Sequence, residues 1–598
     1  MYPRLKRVRR GDQVHEYVQL VEGRREAGKV RQRVVATLGR LDELKASGQL
    51  DRWAGAFTRL DPPAAGVHRE VGPLLVVAHY LRRLGLVGLV DAAAPMRGRA
   101  QATHGEVIAA LVANRLSGPA PLYDVAGWAG AYAVAELLGV PAGLLNDDRL
   151  GRALDALAPV VEDVRARTLL ATLERFEVDA SRLHLDLTAV RFAGAYLDSA
   201  LVAKGWAADR TVGRQVRALF ATTAQGVTLY ARPQKGSQAE LDGIAAALEA
   251  LRRLCPPGLV TVIDSAAGNL KTLAAIDRQK LRFVVPLRAD NGWAARFDVD
   301  LPGGIDALPE LDHVAQREQH LPSELRTRYR GQLVDYPAVD PKTKSRHAFR
   351  VAYTWSSEEA RSVADARERA LAKAEAALAK VRNGLGGRYY KTVADVEKRV
   401  ARVVGPKIEP LLVVTVGKTR ASKSKPSKPT LAWRRNPAAI AAAARLDGLY
   451  ALATNLPDRP DRPLTAQDVL DTYKDQWIAE QRNRDAKRPT QLRVRPIFLH
   501  TDQRIQALFG VIGIALLIFG LIEADLCRAL PADDPRLPGL LPEGRTAKPT
   551  ARNILVAFEH LALTHTANGP VLDRLTPTQR QILALLDIPQ PWPERPEQ

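Results

Sequence analysis

The sequence predicts a mixed α/β protein of several domains, in which a small basic β-module and an all-helical domain precede an α/β core that an insertion interrupts. Three observations carry that expectation. The 598 residues exceed what one hydrophobic core serves, roughly 250–300 residues. The apolar fraction of 46% is that of an ordinary folded protein. Hydrophobic periodicity changes along the chain from strand-like alternation to helical spacing, and then to short β-runs separated by helices.

Residues 1–60 form the first module. Within them EYVQLVEGRREAGKVRQRVVATLGR, at 16–40, alternates apolar and polar residues about a glycine-containing centre, the pattern of an arginine-rich β-hairpin. Residues 61–178 read as an all-helical domain, with apolar residues at helical spacing and Asn146, Asp147 and Asp148 as N-cap candidates. The α/β core opens over 179–300. Its β-like runs lie at 182–192, 214–223, 226–233 and 259–265, with a helix at 238–254 that Pro256-Pro257-Gly258 ends, and another strand at 281–287. Residues 301–444 read as an inserted, β-containing domain with AFRVAYTW, IEPLLVVTV, a charged Ala-rich helix at 358–382 and the tract KTRASKSKPSKP. The core resumes over 445–530 with a strand at 448–455, a helix containing Glu480 and an apolar helix at 502–528. Residues 531–598 read as a Pro-rich tail.

Lys and Arg number 87 against 66 Asp and Glu, a net charge of +21 with a pI near 10.0, so a polyanionic partner is expected and nucleic acid comes before membrane. The longest uncharged apolar run, ALFGVIGIALLIFGLI at 507–522, is shorter than a bilayer requires and reads as a buried helix. MYPRLKRVRRG has the charge of a signal peptide without its apolar segment. Two cysteines, Cys255 and Cys527, imply neither a disulfide framework nor a zinc site. A cytoplasmic protein is expected. The ending Gly417-Lys418-Thr419 imitates a phosphate-binding loop, but position 412 is Leu where that loop needs Gly.

Two aspartates stand at strand positions. Asp186 alternates with Leu185 and Leu187 in the first core strand, on the side of His184 and Thr188, and Asp264 ends the run LVTVID. Glu480 lies in YKDQWIAEQRNRDAKRP, at 473–489. As one helix, this segment places Tyr473, Gln476, Trp477, Glu480, Arg484 and Lys487 in a single stripe. That stripe reads either as a solvated face with a Glu480–Arg484 ion pair or as a metal-binding carboxylate flanked by groups that grip phosphates. The order of strand Asp, strand-end Asp and helical Glu after a fifth strand is the one by which an RNase H-like sheet gathers three carboxylates. Three are needed because two Mg²⁺ ions require several oxygen ligands.

Those three residues, the Tyr473–Glu480–Lys487 spacing, the insertion before the glutamate and RPIFLHTDQRIQALFGVIGIALLIF after it resemble a DDE transposase of bacterial insertion sequences, in the IS1634-like branch of the IS4 superfamily. YVQLVEGRREAGKVRQRVVATLGRLDEL and DGLYALATNLP share the resemblance. It implies an RNase H-like catalytic core with a β-containing insertion domain, and a DNA-binding role for the helical domain at 61–178. It also implies Asp186, Asp264 and Glu480 as ligands of two Mg²⁺ (or Mn²⁺) ions, cleavage at transposon ends and transfer of the 3′-hydroxyl into target DNA. The implied partners are double-stranded DNA, as terminal inverted repeats and target, and a second copy in a synaptic homodimer at the bacterial nucleoid. Tyr473, Gln476, Arg484 and Lys487 would meet DNA, as would Lys423, Lys425 and Lys428 in a tract, 418–435, that holds seven cations and no acid. Gln476 stands where the family signature carries Arg, Asn483 where it carries an aromatic, and Ser265 where Arg is usual. A nuclease of the same fold, or a DNA-binding derivative that does not cut, would carry the same residues.

Overall fold

The computed structural model describes all of the chain except residues 1, 11–12, 27–28, 47–66, 97–100, 193, 195, 207–210, 238–239, 256–257, 341–342, 421–426, 488–498, 542–543, 567 and 597–598. The fold is mixed α/β, in two compact units. The first comprises Met1–Asp179, Leu187–Gln238 and Ile478–Gln598, and the second Ala180–Asp186 and Ala239–Trp477.

In the first unit, β1 (Tyr2–Arg10), β2 (Gln13–Glu26) and β3 (Lys29–Arg40) form an antiparallel sheet followed by helix α1 (Leu41–Ala46). The hairpin expected at 16–40 is β2–β3. Strand β1 is additional to the expected elements, because RLKRVRR puts cations on both faces and so hides the period-2 signal. Val18, Val21 and Leu44 are the buried apolar residues here. After β4 (His68–Glu70) come α2 (Leu74–Leu84), α3 (Leu86–Ala93), α4 (His104–Ser117), α5 (Val125–Ala131), α6 (Val134–Leu138), α7 (Asp147–Leu157) and α8 (Val161–Arg175). Of the three cap candidates Asn146 caps α7, accepting a 2.9 Å bond from the Arg149 amide, while Asp147 and Asp148 lie in its first turn where carboxylates suit the helix dipole.

Strand β5 (Arg182–Arg191) belongs to both units, its first five residues to the second and the rest to the first. In the first unit β7 (Val212–Thr223) lies beside β5 and pairs antiparallel with β6 (Ala203–Trp206) and β8 (Thr228–Lys235). The second unit continues with α9 (Glu240–Leu254), β9 (Val260–Ile263), α10 (Leu270–Arg278), β10 (Arg282–Pro286), α11 (Trp293–Asp300), β11 (Glu310–Leu311), β12 (Tyr329–Val339) and β13 (Arg346–Ser356). Next are α12 (Ser357–Asn383), α13 (Val393–Ile408), β14 (Leu412–Lys418), β15 (Pro429–Arg435), α14 (Pro437–Ala444) and β16 (Leu449–Thr454). Its strands lie in the order β5-β9-β10-β16-β13-β12-β11, parallel from β5 to β10 and antiparallel beyond.

The inserted domain is therefore smaller than the 301–444 read from the sequence. Strands β11 to β13 are sheet members, whereas α12, α13, β14 and β15 have a core of their own built on Leu371, Leu378, Val396, Leu412 and Leu431. AFRVAYTW pairs with the strand GLYALATN about a hundred residues later, and sequence periodicity carries no information on so distant a partner. Gly417 and Lys418 continue strand β14 and form no loop.

The chain ends with α15 (Ala466–Lys474), α16 (Gln476–Lys487), α17 (Asp502–Ala529), α18 (Ala551–Val556), β17 (Ala562–Thr566), β18 (Gly569–Leu572) and α19 (Pro577–Leu585). Helix α17 is apolar all round because it is buried all round, the core helix expected of its composition. Its small residues admit a close neighbour: a Cβ at Gly520 would sit 2.5 Å from the Gly226 carbonyl oxygen. Charged residues at its two ends tie it down. Arg504 forks onto Asp155 at 2.8 and 2.7 Å, and Asp525 receives Tyr80 Oη at 3.1 Å and Arg83 Nη1 at 3.0 Å. Residues 531–598 are more than a Pro-rich tail, since β17 pairs with β18 and with β4, some 500 residues earlier in the chain. Prolines mark the ends of these short elements, which is why composition alone suggests a linker. Leu563, fully buried on β17, tests this. Its replacement by Ala should lower unfolding free energy by about 2–5 kcal/mol in denaturant titration, whereas a free tail would show no change.

Candidate active site

The parallel register of β5 on β9 aligns Leu183 with Thr261, His184 with Val262 and Leu185 with Ile263. The next pair in that register is Asp186 and Asp264. Residues aligned on neighbouring strands are ~4.8 Å apart and project to the same face, so this register, continued by one residue past its last paired rung, would set the two carboxylates side by side at the carboxyl end of β9. Both aspartates are half-buried. Beyond Asp264 the chain leaves the sheet through a turn at Ser265–Ala267. Carboxyl ends of parallel strands are where open α/β sheets bind ligands.

One strand pleat earlier on that face, His184 is fully buried and neither ring nitrogen has a hydrogen-bond partner. Burial, with the Arg182 charge adding to it, lowers its pKa to about 3, so the imidazole is neutral and serves as packing. Arg182, two residues earlier still, meets the Asp475 carboxylate at 2.5 Å. Burial pushes the Asp475 pKa up and Arg182 opposes that shift.

Asp475 is where the expected single helix breaks into α15 and α16. Two tertiary contacts hold the break. The Lys474 ammonium lies 5.0 Å from the Tyr329 ring centroid and 5.7 Å from that of Tyr450, and Asp475 is tied to Arg182 on β5. At its other end α15 starts on a capping box of Thr465 and Asp468, and Arg462 with Arg459 holds the Asp468 carboxyl well below the usual range. Periodicity cannot register such contacts, and so the 473–489 stripe reads as one continuous face.

On α16 Glu480, Arg484 and Trp477 are exposed, as the stripe predicts. Gln476 is not: it is buried to 9% exposure and its Oε1 has no partner, so its side chain is not on a surface open to DNA. Tyr473 is half-buried on α15, a separate helix. Lys487 lies in the last turn of α16 and its side chain is outside the described residues, as are Lys423 and Lys425 entirely. Lys428 is exposed, beside Pro429 at the start of β15, where its backbone amide bonds to Thr419 Oγ1 at 2.9 Å. The tract thus joins the two strands of the β14–β15 hairpin. Arg482 stands among the cations of this segment in sequence, yet it is 2% exposed. Nothing in its spacing marks it; only its position off the stripe does.

Asp186 and Asp264 belong to the second unit and Glu480 to the first. Paired aspartates offer hard oxygen donors that suit Mg²⁺ or Mn²⁺ and no soft ligand that would favour zinc. Among the described residues, no three His, Cys, Asp or Glu side chains form a group that could hold a metal.

Residues 4–61 match the family described as the IS1634 family transposase, N-terminal domain. The chain belongs with the insertion-sequence transposases, in the IS1634 branch. The next segment of this transposase, 67–164, matches a domain of unknown function, DUF4277; it is the helical region α2–α8. Among solved structures the chain is similar to a piggyBac transposase synaptic complex with hairpin DNA, at 9% identity over 75% of this chain and 74% of that one, with a TM-score of 0.31. Two Mos1 transposase structures, a paired-end complex with the left transposon end and a mariner paired-end complex with Mn, are similar at 14% identity, with TM-scores of 0.13 and 0.14. They cover 31% and 32% of this chain, which spans 60% and 62% of theirs, less than two thirds. No curated protein matches.

His184 generates a pH prediction. In the unfolded chain histidine protonates below about 6.5, whereas the folded one stays neutral down to about 3. Its contribution to stability is therefore complete above pH 6.5 and is lost as pH falls from there toward 3. Between pH 7 and 5 the loss should reach about 2 kcal/mol, and His184→Leu should remove it. Urea titrations at the two pH values measure the difference; equal losses in both proteins would mean that the buried imidazole does not govern this range.

Proposed function

We propose that this transposase is a DDE enzyme with an RNase H-like core, which cuts DNA at transposon ends and joins the 3′-hydroxyl to target DNA. The observation that carries the reading is the parallel pairing of β5 with β9, whose register continued by one residue would set Asp186 beside Asp264, in a chain whose amino-terminal region matches a transposase domain. The parallel order β5, β9, β10, with the first aspartate on β5, supports the RNase H-like reading. Asp186, Asp264 and Glu480 would hold two Mg²⁺ or Mn²⁺ ions. Bound there, such a pair activates the attacking water or 3′-hydroxyl and stabilises the departing oxygen.

The chain's own residues supply the rest. Exposed Arg484, one turn from Glu480, and the α16 Lys487 would grip the phosphates next to the reacting one, and the cations Lys423, Lys425 and Lys428 of the basic tract would hold double-stranded DNA without reading its sequence. A homodimer pairing two transposon ends is the assembly that the family resemblance implies. A nuclease of the same fold would cut and not join, and a strand-transfer assay separates the two.

Asp186→Asn, Asp264→Asn and Glu480→Gln each remove one charge at constant size. Each should reduce Mg²⁺-dependent cleavage to background while DNA binding stays within a few-fold. Near-normal cleavage by any of them removes that residue from the catalytic set. Neutralising Lys423, Lys425 and Lys428 should weaken binding to all sequences alike and reduce the log–log salt slope by about 0.9 for each phosphate that the protein no longer neutralises. An unchanged slope would make the tract a bystander.

A further inference from the structure

Arg482 lies on the side of α16 away from Glu480. Two residues along a helix are ~200° apart in rotation, so the exposed carboxylate and the buried guanidinium occupy opposite faces. All of Arg482's partners belong to the first unit, as Glu480 does. Its Nε donates to the Gly226 carbonyl at 2.7 Å and its Nη1 to Asp485 Oδ2, one turn along α16, at 3.3 Å. Its Nη2 lies 2.8 Å from Glu523 Oε1 on α17, an ionic contact out of line for a hydrogen bond, and its Cζ sits 5.4 Å from the Phe519 ring centroid. Glu523 in turn accepts the Ala551 amide through Oε2 at 2.6 Å, at the start of α18.

The turn between β7 and β8 is shaped around this side chain. Gly226 takes a φ of 82°, and a Cβ there would come within 2.6 Å of Arg482 Nη2. A guanidinium in so buried a place is costly unless its donors are met, and a buried charge cluster is seldom more stable than an apolar side chain of the same volume. What the cluster does provide is direction. One planar group is held from three elements, namely α16 itself, the β7–β8 turn and α17, so the helix can neither rotate nor slide without breaking a charged interaction.

We infer that Arg482 is a positioning residue for Glu480: its clamp sets the rotation of α16, and through it the point at which the Glu480 carboxylate is presented. The inference rests on Glu480 being the catalytic glutamate. A carboxylate carried ~6 Å from a helix axis moves ~1 Å for every ~10° of rotation, and a misplacement of about 1 Å is enough to cost ~100-fold in rate.

Arg482→Met and Glu523→Gln test it in the full chain, with Glu480→Gln beside them. Three quantities are measured: melting temperature, cleavage as a function of Mg²⁺ concentration, and Mn²⁺ binding without DNA followed by electron paramagnetic resonance. Both clamp variants should fold and bind DNA within about twofold of the parent. Cleavage should fall by about 10- to 100-fold, half-maximal cleavage should need several-fold more Mg²⁺, and Mn²⁺ should bind more weakly. Arg482→Lys, which keeps the charge and loses the fork, should recover part of each. If Arg482→Met does not fold, Glu523→Gln decides alone. Unchanged Mn²⁺ binding and Mg²⁺ requirement in the clamp variants, with Glu480→Gln inactive, overturns the positioning role, and so does a loss of melting temperature with the metal response unmoved. If Glu480→Gln itself cleaves normally, the reading of Glu480 fails first and takes this inference with it.

Discussion

Where β5 pairs with β9, the backbone ladder sets Leu185 opposite Ile263, and the chemistry proposed for this transposase depends on that one register. A slip of one residue would turn every side chain of β5 to the opposite face, sending Asp186 away from Asp264 and His184 out of its buried place. The register is well specified because Leu183, Leu185, Val262 and Ile263 are almost wholly buried, so any slip would expose apolar surface. Two carboxylates are thus held together by hydrophobic burial around them.

Buried charge does the orienting elsewhere. Arg182 on Asp475 secures the break between α15 and α16, Arg482 anchors α16 from behind, and Asp525 gathers Tyr80, Arg83 and Arg528. Each of these arginines is committed to a carboxylate or a backbone carbonyl within the protein. Each internal ion pair takes up one acid with each cation, so the pairs that fix where helices lie leave the excess of 21 positive charges unneutralised. Arg484 and Lys428 are exposed and are the proposed phosphate contacts that a salt dependence would report.

The match to a transposase amino-terminal domain and the aspartate pair come from parts of the chain well apart in sequence, residues 4–61 and 186 with 264. Each is informative for a different reason. The first names the family through a segment rich in arginine and of strand-like alternation; the second bears on the proposed chemistry, because carboxylates supply the oxygen donors that divalent cations prefer.

By itself the sequence determined the element types and most of their places. Alternation around Asp186 marked β5, helical spacing marked the region from 74 to 175, and the uninterrupted apolar run marked α17 as a core helix, because these signals are local and arise from one face of an element meeting the core. It also ordered the three carboxylates along the chain. Only the tertiary structure decided which strands are neighbours, and so that β13 is a sheet member, that residues 562–566 return to β4 and that Asp186 and Asp264 are adjacent. It alone split the Glu480 helix at Asp475 and turned Gln476 and Arg482 inward. Pairing partners and ion pairs between distant residues depend on long-range closure, and a buried arginine and an exposed one have the same letter.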